Sequence, residues 1–230
     1  MALEQAWPRS HCVGMTDFAA RREAMVDRQI AGRGLTNVPL LAAMRDVPRE
    51  LFVPEGVRDF AYEDGPLPIE ARQTISQPYI VALMIEAAEV APGDRVLEIG
   101  AGSGYAAAVL SRIAAEVIAI ERLAELADLA AARMARLGYR NVSIVTGDGS
   151  AGWPDAAPYD AILAAASGRH VPDVLRRQLK VGGMLVMPLG APGEAQSLIR
   201  MTRTGEEDWT QADLGPVRFV PLIGQEGWRE

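Results

Sequence analysis

The sequence predicts an α/β fold with a doubly wound, mostly parallel sheet, and three observations lead to that prediction. After residue 92, short apolar runs alternate with amphipathic segments, which is typical of strands joined by helical crossovers. The first apolar run, residues 96–99, stops at alternating glycines that indicate a tight turn into a helix. Beyond residue 190 the alternation gives way to two extended runs, which predict an antiparallel strand pair at one edge of the sheet.

The predicted elements follow one another in a simple order. Residues 18–30 and 38–44 have helical periodicity and predict an added helical layer before the sheet. A third helix is predicted after residues 74–79, with Ser76 at or near its N-cap. It places apolar side chains at helical spacing, namely Ile80, Leu83, Met84, Ala87 and Ala88. The later strands are predicted at residues 117–120, 142–145, 161–165 and 184–187, the helices at 123–137 and 172–179, a turn at 182–183, and the C-terminal strand pair at 197–202 and 217–222.

Composition and charge exclude several classes of function. No apolar run approaches the about 20 residues that a membrane helix needs, and no secretory signal is visible, so we expect a soluble cytoplasmic protein. The formal net charge of −7 offers no basic face for nucleic acid. One cysteine and two histidines cannot form a disulfide or a Cys/His zinc site, and no apolar stripe indicates an oligomer, so we expect a monomer without a metal.

The glycines after the first strand point to a bound small molecule. Gly100, Gly102 and Gly104 admit positive φ and let a ligand approach the backbone at the free N–H groups of a helix start. The dinucleotide fingerprint would place its last glycine where this chain has Tyr105. Glu98 would repel a pyrophosphate and attract an ammonium group. The pattern favours S-adenosylmethionine over NAD, although a glycine loop taken alone is also compatible with a purely structural turn.

Acidic side chains stand at the ends of three successive predicted strands, where open parallel sheets bind their ligands. Glu98 ends the first strand, Glu121 follows the second, and Asp148 follows the third. Glu121 suits acceptance of hydrogen bonds from both ribose hydroxyls, and Asp148, next to Gly149, suits an adenine amino group. Each acid alone is compatible with a solvated carboxylate, but the three together favour an adenosine ligand.

Several motifs together resemble the protein-L-isoaspartate O-methyltransferases over about residues 15–224. They are Thr74-Ile75-Ser76-Gln77-Pro78-Tyr79, residues 96–105, Gly147-Asp148-Gly149 with Gly152-Trp153, Pro158-Tyr159-Asp160, Gly182-Gly183 and residues 214–222. The resemblance implies a Rossmann-like methyltransferase sheet. It also implies transfer of a methyl group from S-adenosylmethionine to the free α-carboxylate of L-isoaspartyl residues in damaged proteins and peptides, which starts repair through a succinimide.

The resemblance also implies which residues form the site. Ser76 would be the active-site hydroxyl, and a carboxyl-terminal segment that closes over the site in the family maps to residues 223–228. Because the acceptor carboxylate is already ionised at pH 7, Ser76 would donate a hydrogen bond to it and no general base would be needed. Capping of the following helix is the alternative role of Ser76. The predicted cofactor site comprises Ser76, Gln77, Pro78, Tyr79, Val81, Glu98, Gly100, Gly102, Gly104, Glu121, Asp148 and Gly149.

The sequence pattern also suggests how the chain is divided. Residues 1–14 show no helical or strand periodicity, so we expect a flexible tail there, with Met15 a candidate start, and a single methyltransferase domain at 15–230. Within that domain, residues 15–92 would form a helical and substrate-side segment, 93–190 the cofactor-binding core, and 191–230 the C-terminal strand pair and tail.

Two segments depart from the family pattern, and both lie on the acceptor side. Residues 69–73 contain no glycine. The side chains of Glu70 and Arg72 would therefore narrow the path by which the substrate approaches, or Arg72 would form an ion pair with an acidic substrate. Residues 165–170 replace a short alanine-proline turn. Two alternatives therefore stay open: methylation of an aspartate in a dedicated peptide precursor, and a non-catalytic S-adenosylmethionine-binding protein. A nicotinamide dehydrogenase is the least favoured.

Overall fold

The computed structural model describes residues 17–229, and the tail predicted at residues 1–14 lies outside that range. The helices are α1 (Phe18–Met25), α2 (Val38–Asp46), α3 (Pro78–Ala87), α4 (Tyr105–Leu110), α5 (Ala124–Leu137) and α6 (Asp173–Arg177). The strands are β1 (Leu67–Pro68), β2 (Thr74–Ile75), β3 (Arg95–Ile99), β4 (Glu116–Glu121), β5 (Val142–Thr146), β6 (Tyr159–Ala164), β7 (Leu179–Leu189), β8 (Gln196–Arg203) and β9 (Trp209–Val217). Among the described helices, none is long and apolar enough to cross a membrane.

Seven strands form one sheet in the order β5-β4-β3-β6-β7-β8-β9, and β1 and β2 form a small hairpin beside it. The strands from β5 to β7 in this order pair in parallel, whereas β8 and β9 are antiparallel. The predicted fold class is confirmed. The chain leaves β3 towards β4 on one side and later returns to β6 on the other side. The carboxyl ends of β3 and β6 therefore border the crevice where such sheets bind ligands.

The sheet is buried on both faces, which explains the continuous apolar runs of its central strands. In β3, Val96 belongs to a hydrophobic cluster with the N-terminal helices, whereas Leu97 and Ile99 belong to a second cluster on the other face. The same alternation separates Val117 from Ile118 in β4. The core thus consists of two apolar layers with the parallel strands between them.

The N-terminal helical layer is confirmed, with one change of hydrogen-bond pattern. Helix α1 begins after Asp17, whose carboxylate accepts a hydrogen bond from the Ala20 N–H at 3.0 Å. The predicted helix at 18–30 is helical throughout that length, but Val26–Ile30 form a π-helical turn. Met25, Val26 and Ile30 are fully buried, so this turn packs into the first cluster.

Two predictions in the C-terminal half are wrong because pairing between distant residues outweighs local pattern. The helix expected at 172–179 is shorter and comprises only the five residues of α6. Leu179 instead begins β7, where it is fully buried and pairs with Tyr159. The turn expected at 182–183 lies inside β7, and the pairing with β6 shifts register between Tyr159 and Ala161.

The second strand expected at 217–222 is also wrong, although the antiparallel pair exists. The polar residues 204–208 form the hairpin turn, and the partner strand β9 begins directly after them and ends at Val217. Residues 218–222 leave the sheet edge and bind Ser167 instead. The Ser167 N–H donates to the Val220 carbonyl and the Leu222 N–H donates to the Ser167 carbonyl, both at 2.8 Å.

Candidate active site

A cavity of about 870 Å³ lies at the carboxyl ends of the parallel strands. This volume is near the upper end of the roughly 300–1,000 Å³ that is common for small-molecule sites. Its walls come from residues 73–77 before α3, from the glycine turn after β3, from the end of β4, and from residues 216–223. The cavity therefore brings together segments that are far apart in the chain.

The glycine turn fits closely between β4 and α5. Gly100, Gly102 and Gly104 have φ values of 88°, 54° and 85°, which favour glycine. The N–H groups of Gly100 and Ala101 donate to the Ile120 carbonyl at 2.8 and 3.0 Å, which fixes the turn to the end of β4. Gly100 and Gly102 line the cavity. Gly104 does not line it but faces α5, where an added Cβ would lie 2.8 Å from the Met134 Cε.

Glu121 ends β4 and is held by two backbone groups. Its Oε2 accepts from the Gly102 N–H at 3.0 Å and its Oε1 accepts from the Leu123 N–H at 3.1 Å. The side chain is buried at the cavity wall. Since a carboxylate offers about four acceptor positions, two hydrogen bonds leave capacity for two more donors. A pair of neighbouring hydroxyl groups would use this capacity.

Glu98 is a buried carboxyl group with an unsatisfied oxygen in the cavity wall. The residue is 3% exposed, and its Oε2 has no hydrogen-bond partner among the described residues. Burial raises the pKa of Glu98 to about 8, the charge of Glu121 adds to this effect, and a backbone hydrogen bond from Ala107 opposes it. The group is therefore mostly protonated at pH 7. A cationic ligand group would satisfy the oxygen and favour the ionised form.

Ser76 contributes an uncommitted hydroxyl group to the same cavity. The N-cap of α3 is Gln77, whose side chain makes no capping hydrogen bond, and Pro78 is the first residue of the helix. Ser76 therefore lies outside the helix, and the capping alternative is wrong. Its hydroxyl makes no hydrogen bond to the described residues, whereas its carbonyl accepts from Arg49 Nη2 at 2.8 Å.

Asp148 is not among the residues that line the cavity, and its carboxylate already accepts three hydrogen bonds. Its Oδ1 accepts from the Ser150 N–H at 2.9 Å and from the Ser150 hydroxyl at 2.6 Å, and its Oδ2 accepts from the Gln225 N–H at 2.8 Å. Burial by itself would raise the pKa of Asp148, but the hydrogen bonds from Ser150 and Gln225 outweigh it and lower that pKa. The cavity is lined instead by the adjacent Gly149, and also by Ile223 of the carboxyl-terminal segment.

The structure thus brings most of the predicted site residues into one cavity and leaves four of them outside its lining. The lining includes Ser76, Gln77, Val81, Glu98, Gly100, Gly102, Glu121 and Gly149. Outside it lie Pro78, Tyr79, Gly104 and Asp148. Pro78 is buried at the start of α3, and the guanidinium carbon of Arg33 lies 3.4 Å from the centroid of the Tyr79 ring.

Sequence reasoning missed the wall formed by residues 218–222. Gln196, 2% exposed in β8, holds this segment through its amide, which accepts from the Phe219 N–H at 2.7 Å and donates to the Phe219 carbonyl at 3.1 Å. The same amide donates to the Ser167 hydroxyl at 3.0 Å. The apolar pattern of 218–222 was visible but indicated a strand. No pattern marks Gln196, because its role depends on a contact 23 residues away.

The glycine-free segment at 69–73 forms the turn between β1 and β2. Ala71 and Arg72 have φ values of 54° and 58°, so the backbone takes the left-handed conformation without glycine. The Glu70 carboxylate approaches Arg133 at 3.6 Å, whereas Arg72 is exposed and forms no ion pair with the described residues. Gln73, the next residue, lines the cavity. A turn with two left-handed non-glycine residues and an exposed cation therefore directly precedes the cavity lining at Gln73.

Comparison with known proteins identifies close relatives over nearly the whole chain. A family model described as protein-L-isoaspartate(D-aspartate) O-methyltransferase matches residues 20–227. The protein-L-isoaspartate O-methyltransferase of Rhodopseudomonas palustris is 61% identical over 206 residues, which are 90% of this chain and 94% of that protein. Protein-L-isoaspartate O-methyltransferase 2 of Pelobacter propionicus is 56% identical over 218 residues, covering 95% and 97% of the two chains.

Solved structures show the same similarity. A protein-L-isoaspartate O-methyltransferase structure is 30% identical, with a TM-score of 0.79 over 89% of this chain and 66% of that longer chain. A structure from Plasmodium falciparum, solved in complex with S-adenosyl-L-homocysteine, is 23% identical and has the same fold, with a TM-score of 0.76 over 88% and 98% of the two chains.

Proposed function

Because the chain belongs to the protein-L-isoaspartate(D-aspartate) O-methyltransferase family, we propose that it methylates the free α-carboxylate of L-isoaspartyl residues in damaged proteins and peptides, using S-adenosylmethionine. The adjacent backbone amide nitrogen then attacks the ester carbonyl and methanol leaves, which forms a succinimide whose hydrolysis returns some normal aspartate. The observation that carries the proposal is one cavity holding a buried, unsatisfied Glu98, a backbone-fixed Glu121 and the uncommitted hydroxyl of Ser76.

The cofactor half of the cavity fits S-adenosylmethionine. Glu98 would bind the ammonium group of the cofactor, which would donate a hydrogen bond to the Oε2 atom that has no partner among the described residues. Glu121 would accept from the ribose hydroxyls, and the backbone of the glycine turn would lie against the ligand. Asp148 stays a predicted adenine ligand, with Gly149 providing the nearby wall. When bound, this cofactor supplies an electrophilic methyl group.

On the acceptor side, the chain has to position a nucleophile rather than create one. A carboxylate is ionised at pH 7, so Ser76 would hold it by donating a hydrogen bond and no base would remove a proton. The walls from residues 73–77 and 216–223 would exclude water around it. Orientation of this kind contributes up to about 7–11 kcal/mol to rate enhancement.

Transfer of labelled methyl groups tests the proposal. With labelled S-adenosylmethionine, an isoaspartyl peptide should acquire base-labile label, and Ser76→Ala should lower kcat/KM by about 10- to 100-fold, as expected for a lost hydrogen bond to a charged group. Ser143→Ala, at an exposed serine of the edge strand β5, serves as the matched control and should leave kcat/KM unchanged. Absence of label with the unaltered protein would contradict the proposal.

The alternatives receive less support. A precursor-directed enzyme would be inactive on generic isoaspartyl peptides, and a non-catalytic protein would bind the cofactor without turnover. A nicotinamide dehydrogenase would need the last glycine of the dinucleotide fingerprint, where this chain has Tyr105, which disfavours it. The monomeric state and the cytoplasmic location stay predictions, which size-exclusion chromatography and cell fractionation would test.

A further inference from the structure

Arg49 is a fully buried cation bonded to the backbone of Ser76. It begins the short 3₁₀ turn Arg49–Phe52 in the N-terminal layer and has no exposed surface. Its Nε donates to the Ala61 carbonyl and its Nη2 donates to the Ser76 carbonyl, both at 2.8 Å. Its Nη1 has no hydrogen-bond partner among the described residues. One guanidinium group therefore joins the helical layer to the cavity wall.

No carboxylate among the described residues compensates the charge of Arg49. No ion pair joins Arg49 to any acidic residue of the described range, and the neighbouring Glu50 accepts a hydrogen bond from Tyr62 and pairs with Arg22 at 3.7 Å. Burial lowers the pKa of Arg49, and electrostatic interactions with Tyr105 and Tyr62 oppose that effect. A buried cation without a partner is costly, whereas a neutral donor could bind the same two carbonyls.

The surroundings of Arg49 indicate where the missing anion would bind. Its guanidinium carbon lies 4.8 Å from the centroid of the Tyr105 ring, and Tyr105 and Ser76 both line the cavity. Glu98, on the cofactor side, is mostly neutral at pH 7 and would bind a cation rather than compensate Arg49. An acceptor that brings a carboxylate to Ser76 would supply the negative charge in a region of low dielectric constant.

We propose that Arg49 is a positioning residue of the acceptor half of the site, which fixes the backbone at Ser76 and attracts the acceptor carboxylate through its uncompensated charge. The inference rests on the proposed function, because that function supplies the anionic acceptor. It assigns a role in the reaction to a residue of the N-terminal layer that does not line the cavity.

A binding cycle separates this role from a merely structural one. Two peptides are compared by calorimetry in the presence of S-adenosyl-L-homocysteine: an isoaspartyl peptide and the same peptide with its α-carboxylate converted to a carboxamide. The unaltered protein should bind the carboxylate at least about tenfold more tightly. Arg49→Gln should reduce that preference at least about fivefold, since loss of the charge affects only the carboxylate. General loosening of the fold would weaken both peptides equally and leave the preference unchanged.

Two further variants complete the test. Arg22→Gln, at a partly buried arginine of the same layer that does not contact Ser76, should keep the preference of the unaltered protein. Arg49→Lys keeps the charge and should keep the preference while weakening both peptides, which also covers the case in which Arg49→Gln does not fold. An unchanged preference in Arg49→Gln, or its collapse in Arg49→Lys, would overturn the inference alone. Failure of the unaltered protein to bind the isoaspartyl peptide would overturn the proposed function as well.

Discussion

Cofactor binding should release a proton from Glu98. The carboxyl group is 3% exposed, its Oε2 has no partner in the described range, and burial raises its pKa to about 8. At pH 7 a group with this pKa is protonated in about 0.9 of the molecules. An ammonium group placed beside it favours the carboxylate, so binding should lower the pKa of Glu98 well below 7 and release close to one proton per site.

Isothermal titration calorimetry measures this quantity directly. S-adenosyl-L-homocysteine is titrated into the protein at pH 7 in buffers whose ionisation enthalpies differ. The slope of the binding enthalpy against the buffer ionisation enthalpy gives the number of protons released. The non-reactive ligand is used because it carries the same ammonium group without the transferable methyl group.

Two variants identify the source of the proton. Glu98→Gln keeps the shape of the side chain but cannot ionise, so its slope should be close to zero. Glu125→Gln, at an exposed glutamate in the first turn of α5, should release the same number of protons as the unaltered protein. Equal release by Glu98→Gln, or no release by the unaltered protein, would refute the assignment of Glu98 to the ammonium group.

Three further predictions concern the stability of the ligand-free protein. The folded state raises the pKa of Glu98 from 4.5 to about 8, so the free energy of unfolding should fall as the pH rises between these values. Glu98→Gln cannot ionise and should abolish this fall, which amounts to roughly 3 to 5 kcal/mol. The substitution should therefore raise Tm more at pH 9 than at pH 5. Arg72→Gly should raise the free energy of unfolding by about 0.5–1 kcal/mol in urea titration, since relief of a left-handed residue exceeds the added chain entropy, whereas Arg72→Ala should give no gain. Gly149→Ala should cost about 1–3 kcal/mol and weaken cofactor binding, because the new Cβ would lie 2.5 Å from the Ile99 Cγ2. An unfolding free energy for Gly149→Ala equal to that of the unaltered protein would contradict the close packing at this position.

The parts of the fold that the sequence predicts well are those with local causes. Strand β3 and the glycine turn depend on a short apolar run and on backbone conformations that glycine adopts at Gly100, Gly102 and Gly104. The strand after α6 was misplaced because Leu179 pairs with Tyr159, 20 residues earlier in the chain, and no local pattern reports that contact. Residues 218–222 look like a strand but bind Ser167 instead of the sheet edge.

The same distinction applies to the candidate site. Glu98 and Glu121 line the cavity because both stand at strand ends, which a sequence pattern can locate. Asp148 also follows a strand, yet its carboxylate is occupied by Gln225, 77 residues later. The hydrogen bond from Arg49 to Ser76 joins residues 27 positions apart, so no local sequence pattern predicts the buried charge of Arg49 next to the acceptor half of the site.

Selectivity for the isomerised residue is the most direct test of the proposed function. Two peptides that differ only in an isoaspartyl or an aspartyl residue are incubated separately with the protein and S-adenosylmethionine, and the rate of methyl ester formation is measured for each. The acceptor carboxylate is displaced by one methylene group between the two, and misplacement of this size costs about a hundredfold in rate. We expect the isoaspartyl peptide to be esterified at least about a hundred times faster at limiting peptide. Equal rates for the two peptides, or no ester on either, would contradict the proposed function.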